Sequence, residues 1–156
     1  MNIEMKLREK NINLPKLPKA EYPFAPGVVC GNIVYLSGQV PAINGKIEKT
    51  GIVGDNVNVE EAEEAAVICT LNLLSTLKDM IGDLNKVKRI INVKGYVASK
   101  NDFIDQPKVI NAASNLLNEI FGTENKHARV AIGVAVLPLG APVEIEMIVE
   151  LEQNEE

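Results

Sequence analysis

The pattern of apolar and polar residues along the chain predicts a series of short strands. The apolar runs 28–30 and 33–37 are separated by Gly31-Asn32, a dipeptide typical of a two-residue hairpin turn. Residues 87–98 are rich in Val and Ile and alternate imperfectly with polar residues, which indicates another strand. In the segment 127–151, two further strand-like runs flank the sequence Pro-Leu-Gly-Ala-Pro. These two runs predict the last strands of the chain.

The longest helical pattern begins after Asn58. Glu61 stands three residues after Asn58, which is the spacing of a capping box, and Gly82 is the expected end of the helix. Steps of three or four residues separate the apolar positions between these points, as on one face of a helix. The positions are Ala62, Ala66, Cys69, Leu73, Leu77 and Met80.

A second helix is predicted from Asp105, acting as N-cap, to the Phe121-Gly122 pair. Pro107 falls within its first turn, where the missing N–H group of proline has no helical partner to lose. The residues expected to face inward are Val109, Ala112 or Ala113, Leu116, Leu117 and Ile120.

This order of elements predicts an α+β or α/β sandwich in which the helices cover one face of a sheet. Two helices cannot cover both faces, so the other face is expected to be open. Ala131, Gly133 and Ala135 share one face of their strand with Arg129, and small side chains favour close contact with a neighbouring chain. We therefore expect a homo-oligomer that forms through this small-residue face.

The length of 156 residues is typical of one domain. Residues 1–20, which contain Pro15 and Pro18, are predicted to form a loosely ordered N-terminal lead, and residues 21–152 a single domain. The first ten residues are charged and lack the apolar segment of a secretory signal, so the expected location is the cytoplasm. The longest apolar runs are too short to span a bilayer.

Composition argues against a nucleic-acid partner. The net charge is −5 and aromatic residues make up 4% of the chain, whereas nucleic-acid binding needs clustered cations and stacking rings. The basic group at Lys86, Lys88 and Arg89 is interpreted as a solvated approach to a strand. Cys30 and Cys69 are both interpreted as reduced core residues.

Several common catalytic patterns are missing from the sequence. It contains no Gly-x-Gly-x-x-Gly, no P-loop and no cysteine pair at zinc-like spacing, so no metal site is expected. The single histidine, His127, makes a Ser-His-Asp triad improbable, and a surface or structural role is expected for it. Ser37 lies at the end of a strand, where its hydroxyl either stabilises a turn or contacts a ligand beside the Gly38 backbone.

Arg129 and Glu144 are charged residues near the start of two otherwise apolar strands. Arg129 could be a strand-end residue in a surface salt bridge, and Glu144 could belong to a solvated row with Glu146 and Glu150. Alternatively, both could belong to a site. In a simple hairpin the two residues would lie about 20 Å apart. They would then meet only across a subunit boundary, or if the two strands are not paired with each other.

Three stretches resemble the YjgF/RidA family of reactive-intermediate deaminases, formerly called L-PSP endoribonucleases or translation initiation inhibitors. They are Gly-Asn-Ile-Val-Tyr-Leu-Ser-Gly-Gln-Val-Pro at 31–41, Asn-Asp-Phe at 101–103, and the segment 127–146 from His-Ala-Arg to Val-Glu-Ile-Glu. The resemblance extends over about residues 20–151. The opening of the second helix, Asp-Gln-Pro-Lys-Val-Ile-Asn, is similar to a longer branch of the family.

The resemblance implies a chorismate-mutase-like α+β fold with two helices on one face of a mixed sheet, in which the last strand lies between earlier strands. It also implies a homotrimer with ligand clefts between subunits. Members of the family hydrolyse small enamines and imines, such as 2-aminoacrylate, to 2-keto acids and ammonia without a cofactor.

Carried over to this chain, the resemblance assigns Arg129 to the substrate carboxylate, since a guanidinium can bind a carboxylate through two parallel hydrogen bonds. Glu144 would activate the attacking water. Ser37 and Gly38 would line the pocket, and Phe103 could form a wall.

The chain departs from the family pattern at two positions, which puts the substrate range and turnover in question. Phe24 occupies the place of a pocket tyrosine, with Tyr22 nearby, and Ala131 stands where a cysteine is common. Two alternatives to a deaminase therefore stay open. One is a non-catalytic trimer that binds carboxylates or 2-keto acids, as a sensor or a chaperone-like module. The other is a ribonuclease that inhibits translation, which the acidic charge disfavours.

Overall fold

The computed structural model describes residues 2–153, which form three α-helices and one five-stranded sheet. The helices are α1 (Ile3–Glu9), α2 (Val59–Ile81) and α3 (Gln106–Phe121). The strands are β1 (Gly27–Cys30), β2 (Ile33–Leu36), β3 (Val87–Ala98), β4 (Ala128–Val134) and β5 (Val143–Leu151).

The hairpin and the long helix form where the sequence predicted them. Cys30 pairs with Ile33 across the two-residue turn, and Gly31 there has a positive φ of 61°. The capping box of α2 is complete, because Asn58 accepts from the N–H of Glu61 while the Glu61 carboxylate accepts from the N–H of Asn58. Gly82 ends this helix as its C-cap.

The sheet has the strand order β1-β2-β5-β3-β4. β5 pairs antiparallel with both β2 and β3, whereas β3 and β4 are parallel, so the sheet is mixed. The last strand therefore lies between earlier strands, as the family resemblance implied. β4 and β5 do not form a hairpin, and their separation within one chain is set by β3 between them.

α2 and α3 cover one face of the sheet and enclose the hydrophobic core. The N-terminal half of α2 presents Ala62, Ala65 and Ala66, all buried, and these small side chains allow close helix packing. On β3, a Cβ added to Gly95 would lie 2.5 Å from the Ile110 side chain of α3. Helix α3 can therefore approach the sheet this closely only because residue 95 is glycine.

The second face of the sheet is open, as expected, but the small residues predicted to lie on it are on the other face. Val93 pairs with Arg129, so Arg129, Ala131 and Gly133 share the face of Val93, which α3 covers. Ala131 packs against the core. The prediction that these small residues lie on the open face is therefore wrong, because parallel pairing with β3 places Ala131 and Gly133 on the helix side. The homo-oligomer itself stays a prediction.

The open face instead carries larger apolar side chains. Val130 and Ile132 are 42% and 43% exposed there, and Tyr35 of β2 is exposed on the same side. Apolar side chains collected on one sheet face are typical of a surface that another chain covers.

Residues 1–20 were expected to form a loosely ordered lead, but residues 3–9 of this segment form the helix α1. Met1 lies outside the described residues, but α1 is a helix whose Ile3 and Leu7 are only 3% and 4% exposed. The Ile3 N–H donates to Asn85 Oδ1 at 2.6 Å, and Glu4 forms a 2.8 Å ion pair with Lys78. A helix of seven residues contains too few turns to show a clear apolar period in the sequence.

The two cysteines differ in their surroundings. Cys69 is buried in α2, as expected, but Cys30 is exposed on β1. The expectation for Cys30 is wrong because β1 is an edge strand and the helices do not cover this residue. No helix within residues 2–153 combines the length and apolar character needed to cross a membrane.

We expect Leu7→Ala to lower the free energy of unfolding by about 2–5 kcal/mol, because it removes a buried side chain from the core. Met5→Ala is the matched control, since Met5 lies on the same helix and is 51% exposed. Urea denaturation of both variants would measure the effect. Equal stability of the two variants would show that α1 is not anchored to the core.

Candidate active site

Arg129 lies on the edge strand β4 and points towards α3. Its Nη1 donates to Asn111 Oδ1 at 2.7 Å and to Ser114 Oγ at 3.2 Å. Both acceptors are neutral, and within residues 2–153 no carboxylate forms an ion pair with this guanidinium. The positive charge is therefore available to an anion from outside the chain.

His127 completes the group of residues around Arg129. Its Nε2 lies 2.9 Å from Ser114 Oγ, so this hydroxyl contacts both side chains. Burial, and then the positive charge of Arg129, lower the pKa of His127 below its usual range. The imidazole is therefore neutral at pH 7. We refer to Arg129, Asn111, Ser114 and His127 as the arginine cluster.

Glu144 lies on β5, on the open face of the sheet. Its carboxylate rests against the backbone of Gly38, since a Cβ added to that glycine would lie 2.7 Å from Glu144 Oε1. Burial, and then the negative charge of Glu146, raise the pKa of Glu144. A carboxylate with a raised pKa is a better proton acceptor than an ordinary surface glutamate.

The segment beside Glu144 is fixed by backbone hydrogen bonds. The Gln39 N–H donates to the Ile145 carbonyl at 2.9 Å, and the Ile145 N–H donates back to Gln39 at 3.1 Å. Ser37 Oγ donates to the Ala25 carbonyl at 2.6 Å, so of its two predicted roles the hydroxyl performs the turn role. Gly38 is thereby held over the carboxylate.

Tyr22 and Phe24 lie in the loop that Ser37 binds. Their rings stack with centroids 5.1 Å apart, and both are exposed. The two candidates for the family's pocket tyrosine therefore stand side by side in one loop. We refer to Glu144, Gly38, Ser37 and this aromatic pair as the carboxylate cluster.

Phe103 and Ala131 lie outside the carboxylate cluster. Phe103 is in the connection between β3 and α3, where its ring packs beside Gly54 and against the core. Its carbonyl accepts from Gln106 Nε2 at 2.8 Å. Ala131 follows Arg129 by two residues on the helix-facing side of β4, so it belongs to the surroundings of the arginine.

The two clusters do not meet within one chain. Glu144 pairs with Tyr96, and Tyr96 pairs with Ile132, so Glu144 and Ile132 share the open face. Arg129 is three residues from Ile132 and lies on the opposite face. The Cα atoms of Arg129 and Glu144 are separated by two strand spacings and three residues, or about 14 Å. A site that contains both groups requires a second copy of the chain.

The open face between the clusters is polar at its centre. Tyr96 donates its hydroxyl to Glu146 Oε1 at 2.6 Å, and this bond, helped by burial, raises the pKa of Tyr96 to about 12. A cavity of about 110 Å³ lies beside it, and Asn92 and Lys94 are among its lining residues. The sequence pattern did not predict this group, because its members come from β3 and β5, two strands that are far apart in the sequence.

Asn111 and Ser114 are further site residues that the sequence did not single out. They lie one helical turn apart on α3 and so share a face of the helix. This spacing is the only feature of the sequence that could have indicated that the two residues act together. Among residues 2–153, no group of three metal-binding side chains is close enough to hold a metal ion.

The fold agrees with comparisons to known proteins. The model of the family described as "YjgF/chorismate_mutase-like, putative endoribonuclease" matches residues 4–151. The chain belongs to this family, the YjgF/RidA family that the sequence motifs resemble.

Particular relatives cover nearly the whole chain. Protein TCP17 of Trypanosoma cruzi is 39% identical over 140 residues, covering 87% of this chain and 88% of that protein. The 2-iminobutanoate/2-iminopropanoate deaminase of Salmonella typhimurium is 30% identical, covering 89% and 95%. The crystal structure of Atu1372 from Agrobacterium tumefaciens, titled as a protein of unknown function, superposes with a TM-score of 0.86 at 43% identity, covering 97% and 92%.

The lowered pKa of His127 predicts how stability changes with pH. The folded state favours the neutral imidazole, so His127 contributes to the free energy of unfolding. This contribution is fully present above the ordinary histidine pKa of about 6.5 and is lost as the pH falls through the lower pKa of the folded state. We expect acidification from pH 7.5 to 5.5 to lower the Tm more in the wild type than in His127→Gln. Identical pH dependence of the two proteins in thermal denaturation would contradict this assignment.

Proposed function

We propose that this protein hydrolyses small enamines and imines of the 2-aminoacrylate type to 2-keto acids and ammonia, without a cofactor. The observation that carries the proposal is the Arg129 guanidinium, which is held by neutral acceptors alone. Such a group is suited to bind the carboxylate of a small organic acid. Relatives about 30% identical over most of their length, named 2-iminobutanoate/2-iminopropanoate deaminases, support this reaction.

In the proposed reaction, Arg129 binds the substrate carboxylate while Glu144 accepts a proton from water. A proton from solvent adds to the terminal carbon of the enamine and gives the protonated imine. The water oxygen then forms a bond with the imine carbon as its proton passes to Glu144. Glu144 returns this proton to the nitrogen of the carbinolamine, the C–N bond breaks and ammonia leaves, while the hydroxyl loses its proton to solvent and becomes the keto group. The raised pKa of Glu144 supports its role as proton acceptor.

The reaction requires an assembly that joins the two clusters, and we propose a homotrimer with the site between subunits. Arg129 of one protomer would face Glu144 of its neighbour. The apolar residues exposed on the open sheet face, Val130 and Ile132, support an interface there, because exposed apolar area favours association.

Two observations favour a second candidate function, a trimer that binds 2-keto acids without turnover. Ala131 supplies no thiol beside Arg129, and the Ser37 hydroxyl is engaged by the Ala25 carbonyl. Carboxylate binding by Arg129 does not depend on either group.

We expect Arg129→Ala to lower kcat/KM at least about thirtyfold, because the substrate anion loses a charged partner. Glu144→Gln should lower kcat to a similar degree, since the amide cannot accept the proton. The assay couples the protein to a dehydratase that generates 2-aminoacrylate and follows pyruvate release.

Matched controls are Arg89→Ala and Glu150→Gln. Arg89 donates to Asn125, and Glu150 lies on the same face of β5 as Glu144, paired with Lys88. Both controls should retain wild-type activity. If the wild-type protein binds pyruvate but does not accelerate pyruvate formation, the result would select the binding function. If it neither binds pyruvate nor accelerates its formation, both candidate functions would be rejected.

We expect co-expression of Arg129→Ala chains with Glu144→Gln chains to restore part of the activity that each variant lacks alone. Mixed trimers would contain some interfaces with an intact arginine from one chain and an intact glutamate from the other. Differently tagged chains, purified over both affinity steps, would provide the mixed assembly. No recovery in mixed trimers would contradict a site shared between subunits.

A further inference from the structure

The contacts of Arg129 leave most of its hydrogen-bonding capacity unused. A guanidinium carries five N–H donors, and the two hydrogen bonds that Arg129 makes with described residues both start from Nη1. Within residues 2–153, Nε and Nη2 therefore have no partner. These two nitrogens form the fork that binds both oxygens of a carboxylate at once.

We propose that Asn111 and Ser114 of α3 are positioning residues, which orient the Arg129 guanidinium for an organic carboxylate while leaving its charge uncancelled. This inference rests on the proposed function, in which Arg129 binds the substrate. It adds to that function a specific requirement, namely that the partners of the arginine are neutral and lie on the helix.

The position of the two partners supports this role. Asn111 and Ser114 are separated by one helical turn, so they face β4 from the same side of α3. Asn111 Oδ1 lies 2.7 Å from Nη1, and Ser114 Oγ lies 3.2 Å from the same atom. Two acceptors on one nitrogen fix the plane of the guanidinium, since its five donors are coplanar.

Ser114 is itself held by a third residue. Its oxygen accepts from Arg129 Nη1 and lies 2.9 Å from His127 Nε2, to which the hydroxyl donates in the neutral tautomer that carries the imidazole proton on Nδ1. In that tautomer the hydroxyl has one acceptor role and one donor role, each with a partner. This arrangement restricts its rotation and keeps its lone pair directed at the arginine.

The neutrality of residue 111 is the feature that can be tested most directly. An aspartate has nearly the same size and shape as asparagine, so its carboxylate would occupy the present position of Oδ1, beside Nη1. There it would form an ion pair with Arg129 and compete with the ligand for the guanidinium. An arginine that served only to bind α3 would be held more firmly by this change.

The experiment compares Asn111→Asp with Asn44→Asp. The control introduces the same charge at an exposed residue in the turn between β2 and α2, at a positive φ that aspartate also tolerates. Sodium pyruvate binding by titration calorimetry and KM in the 2-aminoacrylate assay are measured for each protein, together with Tm. We expect Asn111→Asp to weaken pyruvate binding and raise KM about tenfold or more, with a smaller change in kcat and an unchanged or higher Tm. Asn44→Asp should match the wild type.

Ser114 provides a second test that does not change the charge. Ser114→Ala should raise KM, whereas Ser114→Thr keeps the hydroxyl and should restore the wild-type KM. Wild-type affinity and KM in both Asn111→Asp and Ser114→Ala would overturn the positioning role and leave the proposed function standing. A wild-type protein that neither binds pyruvate nor accelerates its release would overturn the proposed function, and this inference with it.

Discussion

The pairing of β3 with β4 on one side and β5 on the other determines where each candidate site residue can act. Because paired residues share a face, the partners of Val93 and Tyr96 place Arg129 beneath α3 and Glu144 on the open side. A shift of either strand by one residue would reverse this arrangement. The same registers bury the apolar halves of β3 and β5 against the helices, so core packing and site geometry depend on one set of hydrogen bonds.

The carboxylate side of the site depends on buried polar contacts with α2. Asn72 Nδ2 donates to the carbonyls of Val40 and Ala42, and Gln39 Nε2 donates to Thr76 Oγ1. These bonds hold the segment after Gly38 against the helix, so the glycine backbone stays beside Glu144. Polar residues in the inward face of a helix usually reduce stability unless they are hydrogen-bonded, and here the bonds position a loop of the site.

The arginine side is built differently, since side chains of α3 and β4 form it directly. Arg129 donates to an amide and a hydroxyl, and the hydroxyl also contacts an imidazole kept neutral by burial and by Arg129 itself. A chain with a net charge of −5 thus keeps one guanidinium free of internal carboxylates among the described residues. The proposed reaction on a small anion needs both an unneutralised cation and a proton-accepting carboxylate, and the proposed assembly would bring the two together.

Local patterns in the sequence were sufficient for most elements, because capping boxes, turn glycines and apolar periods act over a few residues. Asn58 with Glu61, Gly31-Asn32 and the 87–98 run were all interpreted correctly, and the motifs of 31–41 and 127–146 identified the family. Tertiary structure alone decided the rest. The faces of Arg129 and Ala131, the burial of α1 and the choice of Asn111 and Ser114 as partners arise from pairing between distant strands and helices, which no local period encodes.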